Sequence, residues 1–287
     1  MGSLAIAGAT GALGKVVLAE AKRRGITTRA LGRRAQALAA LGADHSFVCD
    51  PLRGRGLTEA LAGADAVFSS LGASVLPSLT KGYRSYPAVD TPANLHLIEA
   101  AIASGVRRFI YVSVAGHPSF DQTVYVRAHE AVVEALERSP LEYVVLRPTG
   151  FFSAFLELLP MARRGPLPLI GDPEAKTNPI SDRDLACFAL DQLEGPARVA
   201  HRIGGPEILS RAQISALAFE ALGKPPRTLR LPDAVVQAMA LLLRPLSPRV
   251  SDFMRFILRA SSVDTVATPI GSDRLAEAFA AGAKRQG

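Results

Sequence analysis

A glycine-rich turn is the sequence feature that most constrains the fold of this chain. The run Leu4–Ala7 is short and apolar, as in a buried parallel strand, and residues 12–21 carry apolar side chains at helical spacing. Between them stand Gly8, Gly11 and Gly14. The first glycine permits a tight turn, the second lets backbone amides approach a ligand, and the third lets the helix pack close to the strand. Because a helix N-terminus attracts anions, this turn predicts a pyrophosphate site and hence a dinucleotide.

Three glycines in a turn also occur for steric reasons alone, so an ordinary strand–helix turn without a nucleotide is the alternative. The surrounding sequence favours the nucleotide. The turn follows a strand, opens a helix and is succeeded by a second predicted strand, Ile26–Leu31, at the distance expected for one βαβ unit.

Length and composition restrict the class of protein. The 287 residues are 48% hydrophobic, enough for one large α/β domain with a small cap. The net charge of +7 comes from scattered arginine pairs without interleaved aromatics, so we expect no nucleic-acid partner. Cys49 and Cys187 lack metal-binding spacing, and no uncharged apolar run approaches the roughly 18 residues that span a bilayer. A cytoplasmic protein without signal peptide or transmembrane segment is expected.

The end of the second predicted strand indicates which dinucleotide is preferred. A carboxylate there binds the ribose 2′-OH of NAD, whereas arginine accommodates the 2′-phosphate of NADP. This sequence has Arg33 and Arg34 and no acid, so we expect NADP(H) to be preferred, with NAD(H) possible. The alternative is that both arginines begin a solvated helix. Residues 45–50 are the third predicted strand. At its carboxyl end, Asp50 either accepts a hydrogen bond from the adenine amino group or starts a loop before Pro51.

Three later predicted strands place small or polar residues at their carboxyl ends, where open α/β sheets bind ligands. Strand 64–72 ends in Ser70, Leu71 and Gly72, and strand 108–114 carries Ser113 near its end. Ser113 either orients a substrate carbonyl or bonds to the turn. Strand 142–147 leads into a turn, residues 148–152, whose backbone groups are suited to a nicotinamide carboxamide. Loop 73–87 is expected to cover the cleft.

Tyr125 and His129 are four residues apart in a predicted helix, so both side chains lie on one face. That face either looks into the cleft or carries only a helix-start aromatic and a partly buried imidazole.

The run GATGALG, the strand end YVSVAG, the Tyr125/His129 helix and LRPTGFF resemble, in this order, the atypical short-chain dehydrogenase/reductase superfamily in its NmrA-like NAD(P)H-binding branch. The resemblance covers residues 3–205. It implies an α/β fold with a Rossmann-type doubly wound parallel sheet and a small, mainly helical C-terminal substrate cap. We expect an NAD(P)-binding domain over residues 1–160, joined by 175–205, and a substrate-binding cap over 206–287.

The resemblance also implies roles for single residues. Ser113 and Tyr125 match the serine and tyrosine of the family, and His129 replaces the lysine of its Tyr-x-x-x-Lys motif. These three are the expected catalytic residues. The expected cofactor-binding residues are Gly8, Thr10, Gly11, Ala12, Leu13, Gly14, Arg33, Arg34, Asp50, Ser70, Leu71, Gly72, His129, Pro148, Thr149, Gly150 and Phe151.

The histidine bears on the reaction. An imidazole is mostly neutral near pH 7 and activates the tyrosine less than lysine does, which favours a substrate that accepts hydride into a delocalised system. We expect NADP(H)-dependent hydride transfer to or from a small hydrophobic carbonyl, enone or quinone-type substrate, by a monomer or homodimer. The alternative is an NAD(P)-binding redox-sensing regulator or assembly factor without turnover.

Residues 234–243 and 253–258 are two apolar runs. Each is part of the core, part of the cleft wall or a surface that contacts a partner. We expect cleft wall or core. Solvent exposure of 234–243 would instead favour a partner or membrane surface.

Overall fold

A parallel sheet forms the centre of the computed structural model, which describes residues 2–72 and 84–285. In the described part of the chain the strands are β1 Ser3–Ala7, β2 Thr27–Gly32, β3 His45–Val48, β4 Ala66–Ser69, β5 Arg108–Val112, β6 Glu142–Pro148, β7 Leu167–Ile170, β8 Lys176–Thr177, β9 Val199–Gly204, β10 Leu209–Ser210, β11 Thr228–Leu231 and β12 Thr268–Pro269.

The helices described for the same residues are α1 Ala12–Arg23, α2 Ala35–Ala39, α3 Leu57–Leu61, α4 Asp90–Ala103, α5 Val124–Arg138, α6 Phe152–Phe155, α7 Leu158–Arg164, α8 Asp182–Asp191, α9 Arg211–Glu220, α10 Asp233–Leu243, α11 Pro248–Ala260 and α12 Leu275–Arg285. A short 3-10 helix spans Pro51–Arg53.

The main sheet has the order β12-β9-β6-β5-β4-β1-β2-β3, and every neighbouring pair runs parallel. The chain winds outward in one direction through β2 and β3 and then in the other from β4 onward. This reversal beside β1 makes the sheet doubly wound, as predicted, and creates the crevice where such sheets bind ligands.

Helices cover both faces of the sheet because side chains of a strand alternate between its faces. In β1, Leu4 and Ile6 pack against α1 and α8, whereas Ala5 and Ala7 pack against α3, α4 and α5. The central strands are therefore buried on both sides, which explains their nearly continuous apolar sequence.

The C-terminal region builds a second core around α7, α9 and α12, with Leu159, Phe219 and Phe279 fully buried in it. Ser210 caps α9 in a reciprocal pair of bonds: Gln213 N–H donates to Ser210 Oγ over 3.2 Å, and Ser210 N–H donates to Gln213 Oε1 over 2.7 Å. β12 belongs to this region in sequence, yet it pairs with β9 of the main sheet. The cap boundary at residue 206 stays a prediction.

Asn178 ties this region to the sheet. Its fully buried side-chain amide donates to the carbonyls of Gly205 and Ala267, each over 3.0 Å, and its Oδ1 accepts from Ala267 N–H over 3.0 Å. Its backbone carbonyl accepts from the Thr149 hydroxyl over 2.6 Å. One asparagine thus joins the end of β6, the end of β9 and the approach to β12.

The expectation that residues 234–243 form core or cleft wall is wrong for most of that run. Only Val236 and Ala240 of α10 are buried, whereas Leu241 is 59% and Leu242 is 74% exposed. A helix that is apolar on every side gives no sequence signal of which side is covered.

The second apolar run, residues 253–258, lies in α11, and Phe256 packs against buried side chains, as expected of a wall or core. Most of the predicted cleft-covering loop, residues 73–83, lies outside the described residues. Among the residues that are described, no helix is both long enough and apolar enough to cross a membrane.

Candidate dinucleotide and substrate site

The turn between β1 and α1 has the geometry that its glycines predict. Gly8 has a φ of +88°, and its carbonyl accepts from Gly11 N–H over 2.8 Å. A Cβ on Gly14 would lie 2.1 Å from the Gly8 carbonyl oxygen, so only glycine lets α1 start this close to β1. No acidic side chain occupies the first turn of α1. Its free amides, at Ala12 to Gly14, thus present an uncompensated positive helix end suited to a phosphate.

The end of β4 lies against this turn. A Cβ on Gly8 would come within 3.0 Å of both Ser70 Oγ and the Ser70 carbonyl oxygen. Asn94 of α4, fully buried, holds the following residues in place: its amide donates to the Leu71 carbonyl over 2.9 Å, and its Oδ1 accepts from Ser69 Oγ over 2.7 Å. Sequence reasoning missed Asn94, because an asparagine within a helix carries no signal of a contact 23 residues away.

The predicted adenosine residues follow β2 and β3 at the same edge of the sheet. Arg33 and Arg34 are exposed, and neither guanidinium bonds to another residue in the described parts of the chain. Arg34 also stands at the N-cap of α2, so the alternative of a solvated helix start remains compatible with the structure. Asp50 Oδ1 is buried, and no described residue bonds to it. An unpartnered buried acceptor fits a ligand that donates a hydrogen bond, such as an adenine amino group.

Tyr111 and His129 form a buried hydrogen-bonded pair beside the cleft. The hydroxyl of Tyr111, on β5, lies 2.7 Å from Nδ1 of His129, on α5. Burial lowers the pKa of His129 to about 4, and the cation of Arg147 acts in the same direction. Burial likewise raises the pKa of Tyr111 well above its ordinary value. Both side chains are therefore neutral at pH 7. Among the described residues the Tyr111 hydroxyl has no other acceptor for its hydrogen, so we assign the tyrosine as the donor and the histidine hydrogen to Nε2.

Tyr125 lies on the same face of α5 as His129, as the spacing predicts, with ring centroids 4.9 Å apart. Burial raises the pKa of its phenol well above the ordinary value, with a smaller contribution from Asp90. Rings from two other elements surround it: Tyr86 at 4.8 Å and Phe256 of α11 at 4.6 Å. The C-terminal region thus supplies an aromatic wall next to the predicted catalytic tyrosine.

Ser113 comes two residues after Tyr111 of β5, and its buried Oγ has no hydrogen-bond partner among residues 2–72 and 84–285. The alternative that this hydroxyl bonds to the turn is therefore not realised. A buried hydroxyl without a partner is costly unless a ligand or water satisfies it, which fits a group that binds substrate.

Backbone hydrogen bonds connect the turn after β6 to three neighbouring segments of the chain. Thr149 N–H donates to the Ile203 carbonyl over 3.1 Å, and the Gly150 carbonyl accepts from Ile180 N–H over 2.9 Å. The Pro148 carbonyl accepts from Ala115 N–H over 3.0 Å. These groups shape the floor of the cleft beside Phe151, and their contact with a nicotinamide stays a prediction.

Arg147, the residue before Pro148, donates two parallel hydrogen bonds of 2.5 and 2.8 Å to the carboxylate of Glu130.

Among the described residues no cluster of His, Cys, Asp and Glu side chains has the arrangement of a metal site.

A family model described as NAD(P)H-binding matches residues 8–196, which is more than half of the chain and includes the glycine-rich turn, Tyr125, His129 and the turn after β6. The chain belongs to this NAD(P)H-binding family. The resemblance to NmrA-like short-chain dehydrogenases/reductases is thereby confirmed.

Comparison with known proteins shows three to which this chain is similar. Divinyl chlorophyllide a 8-vinyl-reductase of Oryza sativa subsp. indica is 30% identical over 271 residues, covering 88% of this chain and 67% of the rice protein. The photosystem II assembly factor Ycf39 of Synechocystis sp. is 25% identical, covering 82% and 72%. The structure of the Escherichia coli NADPH-dependent quinone oxidoreductase QOR2 with NADPH superimposes with a TM-score of 0.73 at 22% identity, covering 97% and 99%.

The chain spans 60% to 67% of the length of the rice, maize and cucumber vinyl reductases. QOR2, below 25% identity, shows only that the fold is shared.

Proposed function

We propose that this protein is an NADP(H)-dependent reductase of the short-chain dehydrogenase/reductase type that delivers hydride to a small hydrophobic acceptor with a conjugated system, such as an enone, a quinone or a conjugated vinyl group. The observation that carries the proposal is the neutral, buried His129 in place of a lysine, with Nδ1 bonded to Tyr111. The vinyl reductase of Oryza sativa subsp. indica, one of the similar proteins, supports this class of acceptor.

The cofactor would bind along the carboxyl edge of the sheet. The amides at the start of α1 would hold the pyrophosphate, Arg33 and Arg34 the 2′-phosphate, and Asp50 the adenine. Ser70, Leu71 and Gly72 would lie along the ribose, and the turn Pro148–Phe151 beside the nicotinamide. When bound, NADPH supplies the hydride.

His129 would donate from Nε2 to a ribose hydroxyl, because Tyr111 occupies Nδ1 and fixes the other nitrogen as the donor. A lysine at this position would add a positive charge that lowers the pKa of the neighbouring tyrosine. The neutral imidazole adds none, and burial raises the pKa of Tyr125 instead. Tyr125 is thus a weak acid that orients the substrate and donates a proton late, after charge has built up on the acceptor.

Ser113 would donate a hydrogen bond to a substrate oxygen from its unpartnered hydroxyl. Phe253 and Phe256, whose rings lie 6.2 and 4.6 Å from that of Tyr125, would contact the apolar body of the acceptor. A conjugated acceptor suits this site because it stabilises incoming negative charge within its own π-system.

The test is NADPH consumption with matched quinones, enones and simple ketones of similar size. We expect turnover with quinones or enones at least tenfold faster than with ketones, and a decrease in kcat for Tyr125→Phe. Tyr143→Phe, near the amino end of β6 and so at the opposite edge of the sheet, is the matched control and should leave the rate unchanged. Background rates with every acceptor, or an unchanged rate for Tyr125→Phe, would refute the reductase proposal or the role of Tyr125 respectively.

A second candidate is a cofactor-binding assembly factor or redox sensor without turnover. The similarity to Ycf39, an assembly factor by name, favours it. NADPH binding in calorimetry combined with no reduction of any acceptor would select this candidate.

A further inference from the structure

We infer that α10 and its flanking arginines form a docking surface for an anionic lipid bilayer. This inference goes beyond the proposed reductase activity and does not depend on it. We call the surface the α10 ridge, and it comprises the apolar side chains of Ala234, Val235, Ala238, Met239, Leu241, Leu242 and Leu246.

The α10 ridge is apolar on the side that faces solvent. Val236 and Ala240 face inward, and at about 100° per residue the opposite arc of the helix holds Val235, Leu241 and Leu242. Leu242 is 74% exposed, and Leu246, just past the helix, is 70% exposed. The polar Asp233 and Gln237 lie beside the buried face. A surface helix normally has the reverse arrangement, with its polar side outward, so this face is suited to an apolar environment.

The charge around the ridge indicates which apolar environment it meets. Residues 224–259 contain seven basic and two acidic side chains, so this stretch holds five of the seven net positive charges of the whole chain. The acids are Asp233 and Asp252. Most of the cations are exposed: Lys224, Arg227, Arg230, Arg244, Arg255 and Arg259. Apolar side chains with arginines at both ends of a helix match a bilayer whose headgroups are negatively charged.

A second protein is a poorer match for this surface. Specific protein interfaces take about 800 Å² and roughly 20 to 30 residues from each partner. The α10 ridge offers seven residues on one short convex helix. An interfacial helix, by contrast, needs only its outer side chains to enter the boundary between headgroups and acyl chains.

The experiment is vesicle flotation of the full chain with phosphatidylcholine vesicles, either pure or containing about 30% phosphatidylglycerol. We expect binding to the anionic vesicles, at least a fivefold decrease on the pure ones, and release by salt, because screening weakens the arginine contribution. The double substitution Leu241→Ser with Leu242→Ser should reduce binding at least tenfold, and Arg244→Glu with Arg230→Glu should reduce it similarly.

Matched controls use exposed residues outside the basic stretch 224–259. Val48→Ser changes an exposed apolar residue on β3, the edge strand at the other end of the sheet order from β12, and Arg138→Glu reverses an exposed charge at the carboxyl end of α5. Neither should alter flotation. Circular dichroism and NADPH binding check that each variant is folded, which keeps this result separate from the reductase assay.

Three outcomes would overturn the inference. The wild-type chain does not float with vesicles, the ridge variants bind vesicles as well as the wild type does, or binding does not change with lipid charge and salt concentration. Light scattering adds a fourth. If the wild-type chain were a dimer that became monomeric on Leu241→Ser with Leu242→Ser and bound no vesicles, a second copy would be the occupant of the ridge.

Discussion

His129 is buried with one ring nitrogen hydrogen-bonded to a neutral tyrosine, and this fixes how folding stability responds to acid. Folding lowers the pKa of His129 from 6.5 to about 4, because burial disfavours the charged ring. The unfolded chain therefore takes up the proton first. The stability that this histidine contributes is fully present above pH 6.5 and is lost as the pH falls toward 4.

We expect His129→Gln to reduce the pH dependence of the free energy of unfolding. Between pH 7 and pH 5 the wild-type chain should lose about 2 kcal/mol through this single group, and the variant should lose correspondingly less. Glutamine keeps an acceptor for the Tyr111 hydroxyl and does not titrate. Urea unfolding of both proteins at the two pH values measures the difference. Identical pH dependence would mean that the imidazole is solvated in the folded protein.

Arg33 and Arg34 provide the test of coenzyme preference. Neither guanidinium is engaged by another residue in the described parts of the chain, so both are available to a 2′-phosphate. Arg33→Ala combined with Arg34→Ala should weaken NADPH binding roughly 10- to 100-fold, the value of one or two charge-assisted hydrogen bonds. NADH binding should not change, since NADH lacks that phosphate. Isothermal titration gives both constants, and equal wild-type affinities for the two coenzymes would refute the phosphate assignment.

The spacing of Tyr125 and His129 is visible in the sequence because one helical turn joins them. Tyr111 is different: its partner lies 18 residues away across a strand–helix contact. A tyrosine in an apolar strand looks like any other core residue. The same holds for Asn94, whose contacts with the end of β4 depend on how α4 packs. Hydrogen bonds between residues that only tertiary packing brings together have no local sequence pattern from which they could be predicted.

At the scale of elements, the start of α1 requires a glycine at position 14, because a Cβ there would collide with the backbone of the preceding turn. Gly14→Ala would place a methyl group 2.1 Å from the Gly8 carbonyl oxygen and 2.9 Å from Ala9 Cα, both backbone atoms. We expect α1 to shift, with a loss of stability on the order of 2 kcal/mol and loss of NADPH binding. Chemical unfolding and calorimetry measure the two effects.

Gly165→Ala is the matched control, because a Cβ there meets no atom within 4 Å and its backbone is extended. It should leave both stability and NADPH binding near the wild-type values. Normal coenzyme binding by Gly14→Ala would contradict the prediction that this turn binds the coenzyme. The glycine would then serve only the packing of α1.

Strands β1, β2, β4, β5 and β6 of the main sheet were predictable, because buried parallel strands are apolar runs that stop at small or polar residues. β7 and β11 were not, since Pro168 inside β7 argues against a strand and the two segments pair across 61 positions of sequence. The placement of α10 failed for another reason. Its sequence is apolar all round, so periodicity carries no information about the buried side.

At the scale of the whole molecule, the C-terminal region and the sheet share contacts rather than meeting at a linker. Asn178 bonds to residues 205 and 267, and Phe256 reaches Tyr125. The aromatic wall therefore comes from a segment more than 100 positions after the predicted catalytic tyrosine. A resemblance that ends near residue 205 predicts the coenzyme half of the cleft and leaves the acceptor half undetermined.

The last strand of the main sheet has a consequence for how copies of this chain can meet. β12 is two residues long and ends in Pro269, which has no amide hydrogen to offer a neighbour. A row of free backbone groups at a sheet edge would invite another chain to add a strand, with fibre growth as the hazard. Because β12 pairs only with Ile203 and Gly204 of β9 and ends in a proline, β12 itself offers a second chain almost no backbone groups to pair with.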